Sequence, residues 1–399
     1  MPTKSAPAND TNVTAKPERL LSLDAFRGAT LLAMVAVNNP GTWDAMYAPL
    51  QHAEWHGWTP TDLIFPWFVF IMGTAVAISM KKYREGAKPP AAVYGRIIKR
   101  TVVLFALGLL LAASGAIYYA LAGDFSHFNI SNLRIPGVLQ RLALAYLAVS
   151  LLALHVGWRG QLATAVLILA GYATLLYYHP NKGDPVGNLS PTGNMVRVVD
   201  LATIGAAHMW TGATDEPTDP EGLLSTLPAI VTALLGYWVG LAIDRWPRSM
   251  ATVLKLALIG GVLYFAGEYW HTLGMPVNKK LWTSSFVLVT GGLAMAALAG
   301  CYALFDLFGA RKLAAPFAIV GLNPITVFVG SGLLARLLTV IKVGSGEGAI
   351  TLQKWLYQTL FTSWLSEPKM ASLGFSLATV AFWWLVAWLM WRRGWVLRV

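Results

Sequence analysis

The sequence predicts an all-α polytopic membrane protein of about ten transmembrane helices. Three observations carry this reading. Of 399 residues, 56% are hydrophobic and only 12% are charged, about half the charged fraction that clothes a soluble domain. Mean hydropathy is +0.55. The apolar residues gather into runs long enough to cross a bilayer as helices, rather than alternating over about ten residues as barrel strands do. The same composition excludes a disordered chain, a coiled coil and a nucleic-acid-binding protein. The 17 Trp, 14 Tyr and 16 Phe suit aromatic belts at two interfaces, although core packing uses them too.

The runs fall near 20–39, 61–80, 97–121, 136–156, 161–178, 223–243, 250–271, 282–306, 316–341 and 371–391. Ten helices put both termini on one face, and the Lys/Arg bias identifies it. Between the second and third runs stand Lys81, Lys82, Arg84, Lys88, Arg96, Lys99 and Arg100 against one acid, Glu85. The connections with Arg245 and Arg248, and with Arg311 and Lys312, share that face, as does the tail with Arg392, Arg393 and Arg398. Positive-inside then places both termini in the cytoplasm, and the net charge of +11 is mostly topological. Residues 1–19 are polar, lack the apolar core of a signal peptide, and are expected to form a loose cytoplasmic tail. One membrane domain is expected over 20–391, followed by a basic cytoplasmic tail over 392–399.

The opposite face carries the less basic connections 40–60, 122–135, 179–222, 272–281 and 342–370. The longest, 179–222, is rich in Gly, Pro, Asp and Thr, and loops of that length are usually functional or disordered. No inverted repeat is evident, which weighs against a transporter. Cys301, the single cysteine, sits in an apolar run and reads as structural.

Ionisable groups at or inside a membrane are costly, so each is a functional candidate. They concentrate around the first two runs. L-S-L-D-A-F-R-G places Asp24 and Arg27 three apart on one helical face, as an ion pair and interface anchor or as part of a site. After V-N-N-P-G comes H-A-E-W-H-G-W-T-P-T-D-L-I-F-P-W-F-V-F-I-M-G, which packs His52, Glu54, His56 and Asp62 into the approach to the second run. A histidine beside a carboxylate can serve as a general base, because it titrates near working pH and the acid fixes its tautomer. Asp62 reads equally as a helix cap after Thr59-Pro60. His52 and His56 have the i, i+4 spacing of a zinc pair, but Gly57 and Pro60 oppose a continuous helix and no third ligand is evident, so no metal is expected. No P-loop, G-x-G-x-x-G or G-x-S-x-G string stands in a usable context.

The run from L-S-L-D-A-F-R-G through V-N-N-P-G and H-A-E-W-H-G to D-L-I-F-P-W-F-V-F-I-M-G resembles the heparan-α-glucosaminide N-acetyltransferase family. So do R-I-P-G-V-L-Q-R-L-A-L-A-Y (134–146), D-P-E-G-L-L-S-T-L-P-A-I (219–230), K-K-L-W-T-S-S-F-V-L (279–288) and G-L-N-P-I-T-V-F (321–328), in family order. The resemblance implies transfer of acetyl from cytosolic acetyl-CoA to an amino sugar on the far side of a bacterial inner membrane, in a homodimer. It implies His52 as the active-site histidine, Asn38 as its neighbouring asparagine, and Asp24 as the aspartate of the L-D-x-F-R-G block. Where relatives often read H-A-x-W-N-G, this chain has His56 in place of the asparagine, so two histidines stand in one motif.

The remaining candidates are read beside that chemistry. Arg134, Gln140 and Arg141 can hold sugar hydroxyls or a polar pantetheine arm, with Pro136 expected at the first turn of their helix. Asp219 and Glu221, before the sixth run, can bind an amine or cap a helix. Lys279, Lys280 and Trp282 resemble interface anchors. Glu268 and His271, three apart, are expected to pair. Asn323 stands where G-L-N-P is expected to break the ninth helix, lining a tunnel or satisfying freed backbone groups. Asp24, Arg27, Lys99 and Arg100 are the candidates for acetyl-CoA. Two other readings stay open: an amino-sugar transporter with His52 and the buried arginines as binding groups, and a membrane scaffold without turnover.

Overall fold

Each apolar run becomes a helix because, in hydrocarbon, a helix satisfies its own backbone groups. The computed structural model describes residues 20–84, 87–127, 129–178, 183, 185–211 and 216–397. The expected N-terminal tail, and the last two residues of the C-terminal one, lie outside the described residues. The helices are α1 Leu21–Asn38, α2 Pro60–Ser79, the short α3 Lys81–Arg84, α4 Ala91–Leu121, α5 Val138–His155, α6 Trp158–Tyr178 and α7 Met195–Thr203. They continue with α8 Thr226–Arg245, α9 Met250–Thr272, α10 Ser284–Cys301, α11 Arg311–Gly321, α12 Pro324–Val340, α13 Leu352–Tyr357 and α14 Pro368–Arg392. A π-helical turn, Tyr302–Leu307, extends α10. Strands β1 Lys342–Val343 and β2 Ile350–Thr351 form a small antiparallel hairpin in an otherwise helical chain. Among the described residues nine helices are long and apolar enough to cross a membrane, or ten if the bent pair α11–α12 counts as one span.

That pair bends by 62° at G-L-N-P, as expected from a proline at the first position of α12. One expectation is corrected at α5. Pro136 is not in its first turn, because the helix starts at Val138 after an extended Gly137 (φ 169°).

Close packing rests on small residues where helices cross. A Cβ on Gly73 of α2 would lie 1.9 Å from the Ala233 carbonyl oxygen of α8, and one on Gly236 would lie 1.9 Å from that of Phe70. Thr74 Oγ1 also donates to the Gly236 carbonyl at 3.0 Å, so α2 and α8 are locked backbone to backbone. Gly28 and Gly321 do the same for α1 and α11. Asp306 caps the start of α1 from a distance, its two carboxylate oxygens accepting from the N–H groups of Leu21 and Ser22 at 3.1 Å each.

These contacts define two ends of the bundle. At one end the start of α1, the break between α11 and α12, and the C-terminal segment meet. Arg27 donates to the Gly321 carbonyl, and Asn323 accepts from the Leu397 N–H while donating to the Trp395 carbonyl. The ends of α2 and α8 share one end too, joined by the Lys81–Asp244 ion pair at 3.0 Å. At the other end α1 finishes, and α2, α5, α8 and α10 begin.

Candidate active site

The site is built where three irregular segments meet above the starts of α2, α5 and α10. Residues 51–59 cannot continue a helix: Gly57 has φ +92°, and its N–H donates to the Val277 carbonyl at 2.7 Å. Buried Asn278 straps the same segment down, donating to the Trp55 carbonyl at 2.7 Å. Residues 133–137, 208–211 and 216–225 close the third side.

Asp62 is the hub. Its side chain is 2% exposed, and Oδ2 accepts from the N–H groups of Thr59 and Ala53, each at 3.0 Å. Oδ1 lies 2.6 Å from His52 Nδ1. The two roles read from the sequence, cap and histidine partner, are therefore both filled, one by each oxygen. A carboxylate can only accept, so the shared hydrogen belongs to Nδ1 and the lone pair of His52 lies on Nε2. The His52 side chain is 48% exposed, which leaves that nitrogen accessible.

His52 opens into a pocket of about 320 Å3 whose lining includes Asn38, Asp62, Arg134, Glu221, Lys279 and Trp210. Asn38, His52 and Asp62 are thus brought to one place with Arg134 and Glu221. Arg134 is a clamp. Its Nε and Nη2 grip the two oxygens of Asp219 at 2.8 and 2.7 Å, and Nη2 also reaches Glu221 Oε2 at 2.6 Å. Those two carboxylates hold the Arg134 guanidinium firmly charged, raising its pKa against its burial. Asp219 is spent on that clamp and on the Trp210 N–H.

Arg141 and Gln140 lie behind the pocket, fully buried on α5. Arg141 donates to the Gly222 carbonyl and to Ser225 Oγ, and its guanidinium lies 4.8 Å from the Trp282 ring centre. The Arg141 Nε and Nη1 and the Gln140 amide nitrogen have no hydrogen-bond partner among the described residues. From the other side Asp200 of α7 accepts from the N–H groups of Leu223 and Leu224 at 3.0 and 3.2 Å. The turn that carries Asp219 and Glu221 is therefore suspended between a buried arginine and a buried aspartate. Burial pushes the Asp200 carboxyl up to about 6.

Several expectations are corrected. Glu268 and His271 do not pair: Glu268 accepts from Trp58 Nε1 at 3.0 Å, and His271 Nδ1 accepts from the Val277 N–H at 3.3 Å. Trp282 is not an interface anchor. It is 1% exposed, wedged edge-on between Phe65 and Phe286, and held at φ +49° by the bend that turns Lys279 inward. His52 and His56 take different partners, since His56 Nδ1 meets the Asn278 amide at 3.2 Å. Sequence reading missed Asp200 and Asn278 altogether, and it missed that Lys279 belongs to the site. Its Nζ lies 3.1 Å from His52 Nδ1 and 3.4 Å from Asp62 Oδ1.

A second cavity, about 620 Å3, lies at the far end of α2. Ser79, Tyr83, Arg96, Lys99, Arg100 and Tyr146 contribute to it, and its described lining holds four cations, with Lys82, and no carboxylate. Arg100 Nε and the Tyr83 hydroxyl are buried there without a hydrogen-bond partner among the described residues. Of the four residues considered for the acyl donor, Lys99 and Arg100 line this cavity. Asp24 and Arg27 instead pair with each other at 3.2 Å beside Gly321. Asn323, tied to the C-terminal segment, lies at that same end and not at the His52 pocket.

Comparison with known proteins bears on this geometry. The family model described as heparan-alpha-glucosaminide N-acetyltransferase, catalytic, matches residues 19–269, which include Asn38, His52, Asp62, Arg134 and Glu221. Heparan-alpha-glucosaminide N-acetyltransferase of Homo sapiens is 31% identical over 368 residues, covering 80% of this chain and 53% of that protein. The Mus musculus protein of the same name is 29% identical over 367 residues, covering 79% and 54%. The chain spans about half the length of the curated relatives it matches. On the family match and these identities, the chain belongs to the heparan-α-glucosaminide N-acetyltransferase family.

Proposed function

We propose that the chain transfers an acetyl group from acetyl-CoA to the amine of a glucosamine-like amino sugar, with the His52 pocket as the acceptor end. The observation that carries this reading is the His52–Asp62 pair: a histidine whose Nδ1–H is fixed on a buried carboxylate, leaving Nε2 as a base open to a pocket. Acetyl-CoA supplies an activated thioester acyl group. An ammonium is not nucleophilic, so the acceptor must lose a proton as it attacks, and Nε2 is placed to take it. Asp62 then steadies the imidazolium, and as the thioester C–S bond breaks the departing CoA thiolate takes up that proton and leaves as the free thiol. The Asn38 amide, in the same pocket, is the donor available to the acetyl carbonyl oxygen. Arg134, held by Asp219 and Glu221, offers its remaining N–H groups to sugar hydroxyls, and the Trp55 and Trp210 side chains offer apolar walls to a pyranose ring.

The basic cavity suits the donor's phosphates. Lys82, Arg96, Lys99 and Arg100 supply charge, and Tyr83 and Tyr146 supply flat surfaces for an adenine. The two cavities stand at opposite ends of α2. Asp62 and Ser79 are 17 residues apart, so about 25 Å of helix separates them. Positive-inside charge orients the basic cavity and both termini to the cytoplasm and the His52 pocket to the periplasm of an inner membrane.

The test uses purified protein with labelled acetyl-CoA and glucosamine, beside His52→Ala and His56→Ala. N-acetylated product from wild type and His56→Ala, but not from His52→Ala, supports the reading. Passage of unmodified amino sugar into proteoliposomes lacking acetyl-CoA, with no acetylation by folded protein, replaces it with transport.

A further inference from the structure

Lys279 is chemically the least expected member of the pocket. It precedes α10, lies beyond the segment matched by the family model, and is 17% exposed. Its ammonium, His52 Nδ1 and Asp62 Oδ1 form a triangle with sides of 3.1, 3.4 and 2.6 Å. One carboxylate oxygen thus faces two groups that can each carry positive charge. With Lys279 charged, the Asp62 charge is already balanced, and a proton on His52 makes a second cation against the first. With Lys279 neutral, Asp62 is free to stabilise the imidazolium.

The geometry points to Lys279 as a positioning residue that keeps resting His52 neutral, so that the base form persists at more acidic pH than the His52–Asp62 pair alone would allow. This rests on the acetyltransferase reading for its purpose but not for its electrostatics. A base must be deprotonated to begin a cycle, and a histidine paired with a buried aspartate tends the other way. Neighbouring charges do not supply the same effect. Arg134 is overbalanced by Asp219 and Glu221, so that cluster carries net negative charge and does not repel a proton from His52. Lys280 is turned to the Glu54 carbonyl at 2.6 Å and lies over the Trp55 ring. His56 faces Asn278, and burial lowers its pKa, with His271 nearby acting in the same direction. Burial also lowers the pKa of Lys279, with the Asp62 charge opposing that shift. Like charges at this separation interact strongly enough to alter the proton affinity of His52 by about tenfold or more.

The experiment compares wild type, Lys279→Met, Lys279→Arg and Lys280→Met in two ways. The first is the pH profile of kcat/KM with labelled acetyl-CoA and glucosamine. The second needs no turnover: the rate at which diethyl pyrocarbonate modifies His52, followed by peptide mass spectrometry between about pH 5 and 9, reports the neutral imidazole. In Lys279→Met both midpoints should rise by about one pH unit or more, and Lys279→Arg should restore them. Lys279→Gln serves in place of the methionine variant if that variant does not fold. An unchanged or lowered His52 midpoint overturns the inference, as does an equal rise in Lys280→Met, which would assign the effect to general positive charge. A wild type without turnover overturns the acetyltransferase reading instead, and the labelling midpoints still decide the role of Lys279.

Discussion

The two ends of α2 solve opposite problems. At its start, polar groups are spent on one another: Asp62 binds His52, Lys279 and two N–H groups, while Arg134 grips two carboxylates. At its far end, cations line a larger cavity without a described carboxylate, and Arg100 Nε and the Tyr83 hydroxyl have no hydrogen-bond partner among the described residues. Proton transfer needs groups fixed in one tautomer and orientation before the substrate arrives, because reorganising them during reaction raises the barrier. Capture of a polyanion needs the reverse, donors left uncommitted until the ligand supplies the acceptors. The difference between the ends supports the proposed division into an acceptor site and a donor site.

Mutations should separate the ends by which kinetic constant they move. The largest effect is expected at the preorganised end. His52→Ala should lower kcat by about 10²–10⁴-fold in a labelled-acetyl assay while the protein elutes from size exclusion as wild type does, and His56→Ala should lose far less. Asp62→Asn should come next, with kcat down by about 10²-fold, because the amide can present an N–H to Nδ1 and so allow the wrong tautomer. A small change in either variant would mean that the pair is structural.

At the other end, Arg100→Gln should raise KM for acetyl-CoA by about tenfold with kcat nearly unchanged, the signature of lost uniform binding. Added salt should weaken donor binding in wild type more than in this variant. A fall in kcat with KM unchanged would break the division between the ends.

The smallest effect concerns stability. Asp200 has a folded-state pKa raised to about 6 from 3.8, so the native state binds its proton more tightly than the unfolded chain does. That favours the native state fully below the unfolded value, and the advantage is lost as pH rises through about 6. Wild type should therefore gain stability on acidification from about pH 7.5 to 5, by no more than about 3 kcal/mol from this group, while Asp200→Asn should lack that gain. Thermal melts at both values check it.

Much of this was legible in the sequence, for identifiable reasons. Bilayer thickness imposes a length on every span, so the apolar runs marked the spanning helices to within six residues at each end, and the Pro of G-L-N-P marked the break. Asn38 came from the family resemblance alone, whereas His52 and Asp62 also stand close enough in sequence for a local pattern to suggest a pair. Lys279 and Asn278 were not legible, because they reach His52 and Trp55 across more than 220 residues of sequence, and no local pattern encodes that approach. Asp200 was hidden in the long connection 179–222, where an aspartate looks like ordinary loop chemistry until its N–H partners at Leu223 and Leu224 are seen. Glu268 and His271 show the converse error. Their spacing favoured a pair, yet Trp58 and Val277 offered each a better partner.

The claim that α2 joins a donor end to an acceptor end is tested most directly by a sided assay. Protein is reconstituted into sealed vesicles with its orientation determined by protease protection, labelled acetyl-CoA is supplied to one face, and glucosamine to the same face or the opposite one. The account predicts N-acetylglucosamine only when acetyl-CoA meets the face bearing Lys99 and Arg100 and the amino sugar meets the face bearing His52. Product formed with both substrates confined to one face would contradict it.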